Sequence, residues 1–186
     1  MKEIELPEDL KECIAFHGHL CPGVVIGYCA ATLGMRELST RRAGDEELIA
    51  IVENDTCAVD AIQWLTGCTF GKGNLYFRDY GKMVFTFATR RNGRSIRLRL
   101  LTNRPAEIDQ APEDQRRRLQ IEYMLSRDPA ELFDIRRDSL TQLPSGAQIR
   151  QSLPCENCGE MVMSTRIRTH AGKNLCIPCA HAASGR

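Results

Sequence analysis

Four cysteines near the C-terminus stand as two pairs, Cys155 with Cys158 in "CENC" and Cys176 with Cys179 in "CIPC". Two residues separate the thiols of each pair, and seventeen residues separate the pairs. Each tight knuckle points two sulfurs at one place, and this spacing lies in the window for a zinc site. Four thiolates suit tetrahedral Zn2+, and a closed set of four is structural. Iron also accepts four thiolates. His170 and His181 are spare imidazoles that four sulfurs leave without a ligand role. A segment this short buries too little apolar surface to fold alone, so the metal is expected to supply its folding energy.

A second constellation lies near the start. "FHGHLCPG" places His17, His19 and Cys21 within five residues. Imidazoles and thiols bind transition metals or do acid, base and nucleophilic chemistry near neutral pH. Cys57 follows in "NDTCAVDAIQWLTG", with Asp60 one helical turn on and on the same face. Cys21 and Cys57 are each expected at a helix N-terminus, where the dipole favours thiolate. The expected open site takes Cys21, Cys57 and one or both of His17 and His19, with a second transition metal, zinc the expected ion. Asp60 would orient a histidine. Cys21, Asp60 and Lys72 are the candidate catalytic groups, Lys72 as a cation beside a thiolate. Cys68, in the Gly-rich "TGCTFGKGN", is within reach of approaching the site. The spacing around Lys72 is not that of a phosphate loop. Cys13 and Cys29 fall on helix bodies among apolar neighbours and read as core.

The elements that must position these groups follow from pattern. Pro7-Glu8-Asp9 opens a helix carrying Leu10, Cys13, Ile14 and His17, closed by Gly18. A second helix opens at Pro22. "LIAIVEN" reads as a buried strand leading into the Cys57 helix, which Gly67 ends. "NLYF" and "KMVFTFATR" read as strands. The Asn92-Gly93 turn leads to Ile96, Leu98 and Leu100 alternating with arginines. An amphipathic helix from Pro112 turns Leu119, Tyr123 and Met124 inward, and "DPAELF" starts another short helix. Between the C-terminal knuckles the chain reads as one hairpin turning at residues 171–173, with a short helix after Cys179. The expected fold is α+β: helices on a mainly antiparallel sheet, plus a small treble-clef or zinc-ribbon-like domain. The expected division is a core domain at 1–143, a linker at 144–153 and the finger at 154–186.

The 186 residues suit one ordinary domain with a small appendage. A net charge of +1 gives no global attraction to nucleic acid or anionic membrane. The start, "MKEIELPEDLKE", is charged and predicts no secretory leader. The apolar run from Val24 to Met35 is far short of a membrane span. Nine cysteines, odd in number and clustered at the two ends, predict metal binding in a reducing cytoplasm.

Three ordered motifs, "FHGHLCPG", "NDTCAVDAIQWLTGCTFGKGNL" and "DYGKMVFTF", resemble the FmdE family of formylmethanofuran dehydrogenase components. The resemblance covers roughly the first 130 residues, and the four-cysteine finger is similar to one appended in many members. It maps the family's characteristic residues onto His17, His19, Cys21 and Pro22, then onto Cys57, Asp60, Cys68, Lys72 and Asn74. It implies an α+β core, a homodimer, and an accessory role beside a molybdenum or tungsten oxidoreductase. Two other readings stay open. One is an independent thiol- or metal-dependent enzyme with Cys21 as nucleophile. The other is a regulator or adaptor whose finger, made basic by Arg166, Arg168 and Lys173, contacts nucleic acid or protein.

Overall fold

The computed structural model describes residues 5–139 and 143–185. The chain divides into two compact units, Met1–Gly146 and Ala147–Arg186.

In the first unit, helix α1 (Glu8–His17) carries Glu8 and Asp9 in its first turn and ends on Gly18 at φ 101°. That left-handed value suits a residue without Cβ, and the Gly18 N–H returns to the Ile14 carbonyl. α1 buries Leu10 and Cys13. Helix α2 (Pro22–Leu38) is apolar around much of its circumference and is the central element of the core. Strand β1 (Leu48–Val52) is buried at all five positions. Helix α3 (Ala58–Thr66) follows and ends on Gly67, also left-handed.

Strands β2 (Leu75–Phe77), β3 (Val84–Thr89), β4 (Arg94–Leu100) and β5 (Phe133–Ser139) complete a sheet of order β2-β1-β3-β4-β5. Only the β1–β2 pair is parallel. One face presents Leu48, Ala50, Val52, Phe85, Phe87, Ile96 and Leu98 to the main core with α2 and α3. The alternation of β4 buries Ile96 and Leu98 as its pattern predicts. The other face carries a smaller cluster of Ile49, Ile51 and Ala88, with Tyr76 and Leu143 against it.

Three stretches differ from the sequence reading. The helix expected at "DPAELF" is a single 3-10 turn, Pro129–Glu131, with Asp128 as its capping residue. The capping box is real, but Phe133 and Ile135 then alternate with charges, and β4 offers that segment a full ladder. Helix α4 (Ala106–Gln110) has no counterpart among the expected elements. Helix α5 (Glu113–Leu125) buries Ile121 and Met124, with Leu119 and Tyr123 only partly covered.

In the second unit, β6 (Ser152–Pro154) pairs with β7 (Met161–Met163), and β8 (Arg168–His170) pairs with β9 (Lys173–Leu175). The hairpin expected between the knuckles is β8–β9, and the sequence reading has no counterpart for β6–β7, whose turn carries the first knuckle. β6 also begins inside the stretch expected as linker. Ala171 and Gly172, at φ 46° and 76°, make the second turn. Helix α6 (Ile177–Ala183) opens at Cys176. No helix among the described residues is long and apolar enough to cross a membrane.

Candidate metal centres

Cys21 caps α2 and Cys57 caps α3. Two glycines bring those helix starts together. A Cβ on Gly27 would lie 2.1 Å from the Ala58 carbonyl oxygen, and one on Gly23 would lie 2.9 Å from the Cys57 Cβ. The bare backbone of α2 thus rests directly on the first turn of α3. Buried Asn54 shapes the loop between β1 and α3. Its amide donates to the Lys82 carbonyl at 2.8 Å and its oxygen accepts from the Thr56 hydroxyl at 2.8 Å.

His17, the last residue of α1, closes the group. Its Nδ1 meets Asp60 Oδ2 at 2.7 Å, and its Nε2 lies 3.9 Å from Cys21 Sγ. A carboxylate on one ring nitrogen fixes the tautomer and turns the other lone pair to a metal. The ligating atoms of His17, Cys21 and Cys57 all lie within 4.8 Å of one another. The Cys57 thiol is pushed above its ordinary value by burial and then by the neighbouring Cys21 sulfur. The helix-dipole expectation of an eased Cys57 thiolate is overridden here. A divalent cation between the two sulfurs would reverse that balance.

The remaining predicted residues stand elsewhere. His19 is exposed and lies against His17, ring centroids 4.6 Å apart, outside the converging group. Lys72 is placed away from Cys21. Its ammonium lies 3.2 Å from the Ala43 carbonyl, 3.5 Å from that of Gly44 and 3.4 Å from that of Asp45. Ala43 in turn donates to the Thr66 carbonyl. Lys72 therefore serves the C-terminal end of α3, about 13 Å along the helix from the Cys57 end. Asn74 works beside it, its amide donating to the carbonyls of Asp45 and Leu48. Cys68 does not approach the site. It is buried at that same far end, its sulfur 3.3 Å from the Leu48 carbonyl, with its thiol raised to about 11 by burial. The positions that sequence reasoning misses are Gly23, Gly27 and Asn54. The glycine pair one turn apart in "GVVIG" is the signal that marks a close helix contact.

In the second unit Cys155, Cys158, Cys176 and Cys179 converge, all four sulfurs within 4.8 Å of one another. Cys158 and Cys176 sulfurs are 3.9 Å apart, near the ~3.8 Å edge of a tetrahedron with 2.3 Å zinc–sulfur bonds. N–H groups, from Cys158 and then Cys176, pull the Cys155 thiol down to about 6. The Glu160 N–H pulls Cys158 the same way, yet burial and three neighbouring thiols push it up to about 12. Such a cluster favours a cation that removes the remaining protons. Arg168, His170 and His181 line a separate shallow pocket, so the two histidines are not in the sulfur group.

Residues 16–134 match the family model described as "FmdE, Molybdenum formylmethanofuran dehydrogenase operon". The chain belongs to the FmdE family. Residues 148–184 match the prokaryotic dksA/traR C4-type zinc finger, beyond the FmdE region. Among solved structures, an FmdE-like protein of tungsten formylmethanofuran dehydrogenase type from Syntrophus aciditrophicus superposes with a TM-score of 0.70. It is 23% identical and the match covers 95% of this chain and 92% of that one, which shows a common fold. A curated relative, "Probable S-adenosyl-L-methionine-binding protein" of Archaeoglobus fulgidus, is 28% identical over 92% of this chain. The chain spans about half, 53%, of that relative's length.

Proposed function

We propose that this FmdE-family protein is a two-site metalloprotein acting beside a molybdenum or tungsten oxidoreductase. In this reading the C-terminal cysteines hold a structural zinc. His17, Cys21 and Cys57 hold a second transition ion, zinc by ligand type, with Asp60 orienting His17. The observation that carries the second site is the convergence of three donor atoms from α1 and the starts of α2 and α3. Three ligands leave a fourth position for water or a substrate atom, as catalytic zinc sites do. The protein's own contribution there is to hold that position open, fix the imidazole and supply one carboxylate beside it. The Archaeoglobus relative's S-adenosyl-L-methionine forms no part of the proposal, because this chain spans only about half of that protein.

The test is metal content of the full-length protein and two variants. Two equivalents of zinc in the wild type, and one in each of Cys57→Ser and Cys158→Ser, are expected. An unchanged content in Cys57→Ser would remove the N-terminal site. Co-purification with a pterin enzyme tests the partner. Light scattering tests the homodimer, which we place on the first unit.

The open fourth position also supports a second reading, a metal-dependent enzyme in its own right. Asp60 is hydrogen-bonded to His17, a ligand next to that position, which favours proton transfer there.

A further inference from the structure

The second face of the sheet holds a groove that none of the metal chemistry uses. Its volume is about 670 Å3, within the range of small-molecule sites. Ile51, Tyr76 and Phe77 form an apolar side, and Leu143 and Pro144 lie across from the strands as a further wall. The Tyr76 hydroxyl donates to the Ser145 carbonyl at 2.7 Å, and Arg90 donates to the Pro144 carbonyl at 2.7 Å, which fixes that wall.

The floor is charged. Glu53 is 6% exposed and ion-paired with Arg97. One Arg97 nitrogen, Nη2, serves both carboxylate oxygens, at 3.0 and 3.3 Å. Its other two nitrogens have no partner among the described residues. Directly opposite Arg97 in the β4–β5 ladder stands Arg136, also without a side-chain partner among the described residues. Like charges directly opposite on one sheet face are destabilising. Glu53 answers one of the two. Arg136 stands at the edge of the groove through its register with Arg97; Arg78 and Asp138 line the groove, and Asp134 on this face is committed to Arg99. The Thr86 hydroxyl, on the neighbouring strand and paired with Arg97 in register, completes a donor set around this spot.

We propose that the groove binds a small organic anion: an oxyanion head bridging Arg97 and Arg136, with an apolar or aromatic body against Ile51, Tyr76 and Phe77. An oxyanion between two guanidiniums takes charge-assisted hydrogen bonds and removes their repulsion. Glu53 holds Arg97 in place for it. This site is independent of the metal centres.

The probe is 8-anilinonaphthalene-1-sulfonate, an aromatic oxyanion whose fluorescence rises in apolar surroundings, titrated into the full-length zinc-loaded protein. We expect one saturable site per chain that weakens with salt. Arg136→Gln, at an exposed position, should raise its Kd about tenfold, and Arg136→Glu further. Thr86→Trp should fill the groove and abolish binding. If Thr86→Trp does not give a native circular dichroism spectrum, the two Arg136 variants decide alone. Absence of saturable binding, including through a second copy covering this face, overturns the proposal. So does a Kd that the Arg136 variants leave unchanged.

Discussion

Asp60 Oδ2 stands 2.7 Å from His17 Nδ1, linking the first turn of α3 to the last residue of α1. The contact reaches 43 residues along the chain, and it sets which imidazole nitrogen faces the thiols. Asp60→Asn should keep a hydrogen bond but lose the charge that makes His17 a stronger donor. We expect metal affinity at the N-terminal site to fall about 10–100-fold, as measured by chelator competition. Zinc at the finger should be untouched in the same titration. Equal loss at both sites would point to general unfolding instead.

Gly27 is the point where α2 meets α3. A Cβ there would lie 2.1 Å from the Ala58 carbonyl oxygen, a backbone atom with nowhere to go. Gly27→Ala should cost about 3 kcal/mol, the upper end of overpacking. Thermal melts of the metal-free protein check this, because the effect lies in the packing and precedes any ion. A melt within experimental error of the wild type would show that α2 can slide.

Removing one finger ligand should separate the two units energetically. Cys158→Ser is expected to release the structural zinc and melt the second unit, while the main core of the first unit keeps its cooperative transition. Hydrogen exchange, resolved by segment, reads both at once. Loss of protection in α2 and β3 would sink the idea that the units fold independently.

Buried thiols give a fourth kind of check. Burial pushes Cys13 and Cys29 up to about 12 and Cys68 up to about 11. In metal-free native protein at about pH 8 these three should resist iodoacetamide, because almost no thiolate is present and access is blocked. The finger cysteines, Cys158 among them, lose their fold with the zinc and should be labelled early. Peptide mapping that finds Cys68 modified as fast as Cys158 would contradict its placement under β1.

The acid side of stability has a local contributor at the far end of α2. Arg36 donates to both oxygens of Asp128, at 2.9 and 2.8 Å. Arg36, with the Ala130 N–H, holds Asp128 at about 2 against an ordinary 3.8. The folded pKa is depressed, so this contribution is complete above about pH 4 and disappears as pH falls through 2. The melting difference between Asp128→Asn and wild type should therefore be constant from pH 6 to 4 and vanish near pH 2. A difference that grows on acidification has the wrong sign.

Much of this was legible in the sequence, for identifiable reasons. Pro7, Gly18, Pro22 and Gly67 punctuate the helices with backbone chemistry that needs no tertiary context. The knuckle spacing likewise carries its own geometry. β5 was not legible because Asp128-Pro129 is a strong local helix start, and only the ladder with β4 reveals that the chain continues extended. The site was half readable. Residue types pointed to His17, Cys21, Cys57 and Asp60, and these do lie together. The separation of Lys72 and Cys68 from them depends on α3 running its full length between the two groups, which proximity in sequence conceals. Gly23 and Gly27 show in the sequence only by their spacing of one helical turn, because what they contribute is the absence of a side chain.

That absence works as a calliper. The separation of the helix starts that carry Cys21 and Cys57 is set by main chain resting on main chain where Gly27 meets Ala58. His17 alone comes from an element outside that contact. For any ion held there, a change of bond length beyond what the cysteine side chains absorb falls on α1. Cadmium in place of zinc should thus alter amide exchange in Cys13–His17 and leave the start of α2 as it was. The pair of cysteines would act as a fixed jaw and the histidine as the sliding one, so selection among metals would fall to the stiffness of a single short helix.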